Sequence, residues 1–164
     1  MQQLFQPKEL EPPKAVVVLP SAEKVVEQND SDIATRILVV EDNRINQKVA
    51  LGLLKKAGLT ADVANNGKEA LDAMSEKRYD LIFMDCQMPV MDGYEATGAI
   101  RASEASSDVR NLIIAMTANA MDGDESKCLA AGMDDYLSKP VKLDKLRAVI
   151  EKWLPHALSQ EKAE

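Results

Sequence analysis

The chain has little of several residue types, and each shortage excludes a class of protein. Its 164 residues include two cysteines and one histidine, too few for a disulfide framework or a zinc site. We expect Cys86 to be a small, partly buried thiol. The longest early apolar run, residues 15–19, is too short to cross a bilayer and lacks a basic leader, which predicts a cytoplasmic protein.

Positive charge is also in short supply, since the formal net charge is -7. Such a balance argues against nucleic acid or direct membrane contact and favours a protein partner. What is present is typical of a globular protein, with 46% hydrophobic and 29% charged residues. A chain of this length holds one domain of ordinary size, and we place it at residues 35–155.

The two ends of the chain are predicted to lie outside that domain. Residues 1–34 contain Pro7, Pro12, Pro13 and Pro20 among charges and glutamines, a composition typical of a flexible linker. Residues 156–164 are interpreted as a C-terminal tail. His156, the single histidine, follows Pro155 and is interpreted as part of this tail.

Between these ends, apolar runs alternate with amphipathic helices. Strands are predicted at residues 36–40, 59–64, 80–85, 112–116 and 135–138, each followed by one of five helices. The fourth helix is predicted over 120–131. In the first helix, Val49, Leu53 and Ala57 are expected to form the buried stripe. Five such units indicate an α/β protein with a parallel sheet between two helical layers.

Polar side chains follow four of these strands directly. The first strand ends in Glu41 and Asp42, the third in Asp85, the fourth in Thr117 and the fifth in Lys139. Open α/β sheets bind their ligands at the carboxyl ends of the strands. Carboxylates held together require a cation, and Mg²⁺ prefers such oxygen ligands. The set therefore predicts phosphoryl chemistry, although any one of these residues alone would be an ordinary helix cap or surface lysine.

These five residues in this order, with the segment from Met88 to Gly93, resemble the response-regulator receiver domain. The resemblance covers residues 36–154. It implies a flavodoxin-like three-layer sandwich with strand order 2-1-3-4-5 and five helices, and Asp85 as the phosphoacceptor. Mg²⁺ would be bound by Asp42, Asp85 and the backbone carbonyl of Gln87, with Glu41 acting through water.

The resemblance also implies roles around the phosphoacceptor. Lys139, at a cis peptide before Pro140, and the Thr117 hydroxyl would stabilise phosphoryl oxygens. Thr117 and Tyr136 would form a conformational switch. Gln87 and Asn119 would line the path of hydrolytic water and set the phosphoryl lifetime.

A partner protein must reach Asp85 over the loops at the strand ends. Because the start of the first helix and the loop after the fifth strand frame that opening, Ile45, Asn46 and Pro140 are the predicted docking residues. The expected partner is a histidine kinase or a histidine phosphotransfer protein that carries a phosphohistidine.

Several functional readings remain open at this point. The Glu-Asp-Asn segment at 41–43 with Asn46, and the proline-rich leader, are most similar to C-terminal receivers of hybrid sensor histidine kinases. A free-standing response regulator and a phosphorylation-independent binding domain are the alternatives. A haloacid-dehalogenase-type phosphatase is disfavoured because Gln87 stands where that family has a second aspartate. On the receiver reading, this chain has only self-phosphorylation and autodephosphorylation activity.

Overall fold

The computed structural model describes residues 35–118 and 123–162, in which strands and helices alternate. The strands are β1 (Ile37–Val40), β2 (Ala61–Ala64), β3 (Leu81–Asp85), β4 (Ile113–Thr117) and β5 (Asp135–Ser138). The helices are α1 (Arg44–Lys56), α2 (Gly67–Glu76), α3 (Gly93–Glu104), α4 (Asp124–Ala131), α5 (Leu143–Trp153) and α6 (Pro155–Lys162). The predicted linker, Asn119 and the predicted start of the fourth helix lie outside these ranges.

The strands form one parallel sheet in the order β2-β1-β3-β4-β5, which confirms the predicted topology. The register aligns the carboxyl ends of the strands: Val40 pairs with Met84, Asp85 with Met116, and Thr117 with Ser138. The residues that end or follow β1, β3, β4 and β5 therefore emerge at one edge of the sheet, called here the carboxyl edge.

Alternate strand residues enter two separate hydrophobic cores. Val39 and Phe83 pack with α1, α5 and α6 on one face of the sheet. Val40 and Met84 pack with α2, α3 and α4 on the other. Burial on both faces explains why the central strands read as unbroken apolar runs, since a strand with one solvated face alternates apolar and polar residues.

The predicted buried stripe of α1 is wrong at Val49, which is 44% exposed. The buried side chains of this helix are Ala50 and Leu54, and Ala57 is buried at its end. Apolar residues occupy two adjacent stripes of α1, so periodicity alone could not select the one that faces the sheet.

The residues predicted as a tail include α6, in which His156 is the second residue. α5 ends at Trp153, and Pro155 begins α6, a position where its missing N–H costs nothing. Ala157 and Leu158 are buried in the same core as α1 and α5. The division of the chain at residue 155 stays a prediction. Among the described residues, no helix is long and apolar enough to cross a membrane.

Candidate functional site

Three acidic side chains meet at the carboxyl edge. Glu41 follows β1, Asp42 comes next, and Asp85 ends β3; one oxygen from each lies within 4.8 Å of the others. Glu41 is 1% and Asp85 4% exposed, whereas Asp42 is exposed. Like charges this close repel unless a cation shares them. The cluster therefore could hold a metal ion, as the sequence predicts.

The Lys139 ammonium lies between the two buried acids. Its Nζ is 2.7 Å from Oε2 of Glu41 and 3.1 Å from Oδ1 of Asp85. The peptide between Lys139 and Pro140 is cis, as predicted. Burial by itself would lower the pKa of Lys139, but its bonds with Glu41 and Asp85 raise it. Lys139 is therefore a fixed positive charge beside Asp85.

Burial and charge act differently on the two acids. Burial raises the pKa of Asp85 to about 6; the Lys139 charge opposes this rise and the Glu41 charge adds to it. Burial also acts to raise the pKa of Glu41, but the hydrogen bonds from Lys139 and from the Asn43 N–H outweigh it, and that pKa is lowered. Glu41 thus keeps its charge more readily than Asp85 does.

The loop after β1 is fixed by two amide side chains. Asn43 caps α1, since its Oδ1 accepts from the N–H groups of Ile45 at 2.8 Å and Asn46 at 3.1 Å. Gln47 Nε2 donates to the backbone oxygen of Glu41 at 2.6 Å and to Oδ1 of Asn65 at 2.9 Å. Sequence reasoning missed Gln47. The only sequence feature that indicates its role is its position one turn into α1.

The loop after β3 packs directly on the backbone of Asp85. A Cβ atom on Gly93 would overlap the Asp85 carbonyl oxygen and lie 3.0 Å from the Cα of Cys86. Glycine at 93 therefore allows the close approach. The Gln87 N–H donates to Oδ1 of Asp85 at 3.2 Å. Asp92 and Glu95 form a capping box that starts α3 at this point.

The first turn of α4 contacts both residues of the predicted switch. Thr117, which is buried, donates from Oγ1 to Oδ2 of Asp124 at 2.8 Å. The Glu125 carboxylate interacts with the Tyr136 hydroxyl and raises the pKa of Tyr136. Sequence reasoning missed Asp124 and Glu125, because the motifs that define the site do not include the start of this helix.

The site residues line a cleft of about 470 Å³. Those singled out from sequence that line it are Glu41, Asp42, Asn46, Asp85, Gln87, Thr117 and Lys139. A larger cleft of about 750 Å³ lies between α2 and α3 near Arg78 and Asn111, which precede β3 and β4. It belongs to the opposite edge of the sheet and contains none of the predicted site residues.

The predicted docking residues lie beside the cleft. Ile45 is 71% exposed, Asn46 is half-buried and Pro140 is exposed. Asn46 and Pro140 line a small hollow of about 70 Å³ together with Val49. The structure thus brings the start of α1 and the loop after β5 together, and the exposed Val49 extends the apolar surface beyond the prediction.

Sequence comparisons identify the family. The family model of the response regulator receiver domain matches residues 37–151. Hybrid signal transduction histidine kinase B of Dictyostelium discoideum is 45% identical over 142 residues, which cover 80% of this chain and 7% of that protein. Histidine kinase 5 of Arabidopsis thaliana is 43% identical over 143 residues, covering 73% of this chain and 16% of that protein. This chain belongs to the response regulator receiver domain family.

Solved structures agree with this assignment. The receiver domain of the Saccharomyces cerevisiae response regulator Ssk1, crystallised with the histidine phosphotransfer protein Ypd1, has a TM-score of 0.69 and 38% identity over 73% of this chain and 88% of that one. The receiver domain of sensor histidine kinase PA1611 from Pseudomonas aeruginosa, which has a magnesium ion in its active site cleft, has a TM-score of 0.66 and 45% identity over 73% and 97%. The chain is therefore comparable in size to isolated receivers and far shorter than the kinases.

Proposed function

We propose that Asp85 is the phosphoacceptor of this receiver and takes its phosphoryl group from a phosphohistidine. A carboxylate oxygen of Asp85 forms the new P–O bond while the P–N bond to the imidazole breaks, which leaves an aspartyl phosphate and a free histidine. The main support for this proposal is that Asp85 ends a buried strand, with Lys139 Nζ 3.1 Å from its Oδ1 and two further acids beside it.

The acidic cluster fits Mg²⁺, which would supply positive charge to the equatorial phosphoryl oxygens. Asp42, Asp85 and the backbone carbonyl of Gln87 would hold the ion. Glu41 suits a role through water, because both of its carboxylate oxygens already accept hydrogen bonds, from the Asn43 N–H at 3.0 Å and from Lys139 at 2.7 Å.

Two further side chains act on the phosphoryl group. The Lys139 ammonium pairs with a phosphoryl oxygen and the Thr117 hydroxyl donates to another, so charge that develops during transfer meets groups already in position. Movement of Thr117 leaves space for the ring of Tyr136, which makes this pair the switch. Gln87 and Asn119 tune the phosphoryl lifetime as neutral amides that orient water.

The proposed partner is a histidine kinase or a histidine phosphotransfer protein in the cytoplasm. Support comes from the hybrid kinases among the relatives and from the complex of the Ssk1 receiver with Ypd1. We propose that this chain serves as the receiver of a hybrid histidine kinase. A binding domain that works without phosphate is disfavoured because every residue type of the site is present, and Glu41, Asp42, Asp85, Gln87, Thr117 and Lys139 line one cleft.

Intact-mass measurement after incubation with acetyl phosphate and Mg²⁺ tests the assignment. We expect a single phosphate adduct that is absent from Asp85→Asn and lost when EDTA removes the metal. Asp108→Asn is the matched control, since it removes an exposed carboxylate from the loop before β4 at the opposite edge of the sheet. An adduct of equal yield on Asp85→Asn would show that another residue accepts the phosphoryl group.

A further inference from the structure

Two consecutive carboxylates at the start of α4 interact with the two residues proposed as the switch. Asp124 Oδ2 accepts a hydrogen bond from the Thr117 hydroxyl at 2.8 Å, and the Glu125 carboxylate raises the pKa of the Tyr136 hydroxyl. Thr117 ends β4 and Tyr136 lies on the neighbouring β5. One helical turn thus contacts both parts of the switch at once.

The hydrogen bond from Thr117 to Asp124 competes with the bond that Thr117 would donate to a phosphoryl group on Asp85. A threonine hydroxyl carries one proton and donates one strong hydrogen bond at a time. In this structure that bond goes to a carboxylate, the stronger type of acceptor. A phosphoryl oxygen on Asp85 must therefore take the hydroxyl from Asp124 before Thr117 can stabilise it.

Charge acts in the same direction as the hydrogen bond. Asp124 lines the same cleft as Asp85 and Lys139. Phosphorylation replaces the single negative charge of the Asp85 carboxylate by a phosphoryl group that carries about -1.5 to -2 charges, so the cleft becomes more negative. A carboxylate that has lost its donor then faces the new phosphoryl charge, so both effects favour the unphosphorylated arrangement.

We propose that Asp124 is a positioning residue that holds Thr117 in the resting arrangement and opposes stabilisation of the phosphoryl group. The proposal rests on the proposed function of Asp85. Phosphorylation breaks the bond between Thr117 and Asp124 and frees the start of α4. The Asp124 side chain thus adds to the free energy that the receiver needs to change from the resting to the phosphorylated arrangement.

The test measures affinity for beryllofluoride, a tetrahedral mimic of the phosphoryl group, by titration calorimetry with Mg²⁺. Asp124→Ala removes both the acceptor and the charge, and we expect it to bind beryllofluoride about fivefold to tenfold more tightly. Asp124→Asn keeps an acceptor for Thr117 without the charge and should fall between Asp124→Ala and the unsubstituted chain.

A double-mutant cycle separates positioning from general charge. In a Thr117→Val background, Asp124→Ala should give a clearly smaller gain than in the unsubstituted chain, because the contested hydroxyl is gone and only the effect of the Asp124 charge remains. The proposal is overturned if Asp124→Ala gives no gain, if the gain persists in full in that background, or if Asp108→Asn gives the same gain. Failure of the proposed function looks different, since beryllofluoride would then bind Asp85→Asn as well as it binds the unsubstituted chain.

Discussion

Cys86 is the residue next to the proposed phosphoacceptor, and its chemistry is controlled by its surroundings. Its Sγ lies 3.6 Å from Sγ of Cys128, and both side chains are buried. Burial raises the pKa of the Cys86 thiol to about 12. Since the thiolate is the reactive form, the site carries a cysteine beside Asp85 that is chemically quiet.

This leads to a prediction about thiol labelling. In Cys128→Ala, where Cys86 is the remaining thiol, iodoacetamide at pH 8 should label the folded protein at least about a hundredfold more slowly than the same chain in urea, because the thiolate is scarce and buried. Mass spectrometry over a time course gives both rates. Rapid labelling of the folded protein would show that Cys86 is exposed or ionised.

Among the secondary-structure elements, α1 is the one predicted to meet the partner. Replacing Ile45, which is 71% exposed, by Asp or Ser should slow phosphoryl transfer from a phosphohistidine protein about tenfold. The rate of labelling by acetyl phosphate should stay unchanged, because the substitution removes neither a buried side chain nor a group of the acidic site. The transfer rate and the labelling rate are compared for each variant. Leu129→Asp is the matched control, because Leu129 is an exposed leucine on α4. Equal loss of both rates would place Ile45 in the site or the fold.

A polar network joins the end of α3 to the strands that follow. Arg101 pairs with Glu104 at 2.8 Å and with Asp134 at 2.9 Å. Glu104 also accepts from the backbone and side chain of Asn111. Burial acts to raise the pKa of Glu104, but these bonds outweigh it and lower the pKa below 4.5. Glu104 therefore stabilises the fold in its ionised form.

The sign of this shift sets a pH dependence. A lowered folded-state pKa gives stability that is fully present above the unfolded-state pKa and is lost as pH falls through the folded-state value. Glu104→Gln should cost about 1–2 kcal/mol at pH 7, a deficit that shrinks as pH falls below the ordinary glutamate pKa and the unsubstituted chain becomes protonated. Urea unfolding at each pH measures it, with the exposed Glu151→Gln as control. A deficit that stays constant with pH would show that the glutamate charge is not the cause.

The elements differ in how far the sequence alone could define them. Strand ends were predictable because the apolar runs stop at polar residues, and the strand order came from the family resemblance, since periodicity does not specify it. The buried face of α1 was not predictable, because Val49 and Ala50 are both apolar and lie on adjacent stripes of the helix. Contacts across long separations, such as Cys86 with Cys128 or Lys139 with Glu41, depend on which elements become neighbours. The Asp124 contact was missed because the residues between β4 and α4 have no regular period.

At the scale of the whole molecule, α6 extends the core beyond the predicted end of the domain. Ala157 is 3% and Leu158 7% exposed there. A chain that ends at Leu154 should lose about 2–3 kcal/mol of unfolding free energy, since these side chains leave the core. Urea denaturation measures the loss, and Leu158→Ala in the full chain should reproduce most of it. Phosphorylation of Asp85 should persist in both; an unchanged stability would mean that α6 does not hold the core together.

The chain has one tryptophan, and its location makes it an optical probe. Trp153 Nε1 donates to Oδ2 of Asp135, the first residue of β5, at 2.8 Å, and the indole is 36% exposed. This contact lies at the edge of the sheet opposite Asp85, because Asp135 begins the strand that Lys139 follows. Indole emission will therefore shift when α5 leaves the sheet and stay constant when the carboxyl edge is phosphorylated. Tryptophan fluorescence can therefore report unfolding in a sample that is being phosphorylated, because phosphorylation leaves this signal unchanged.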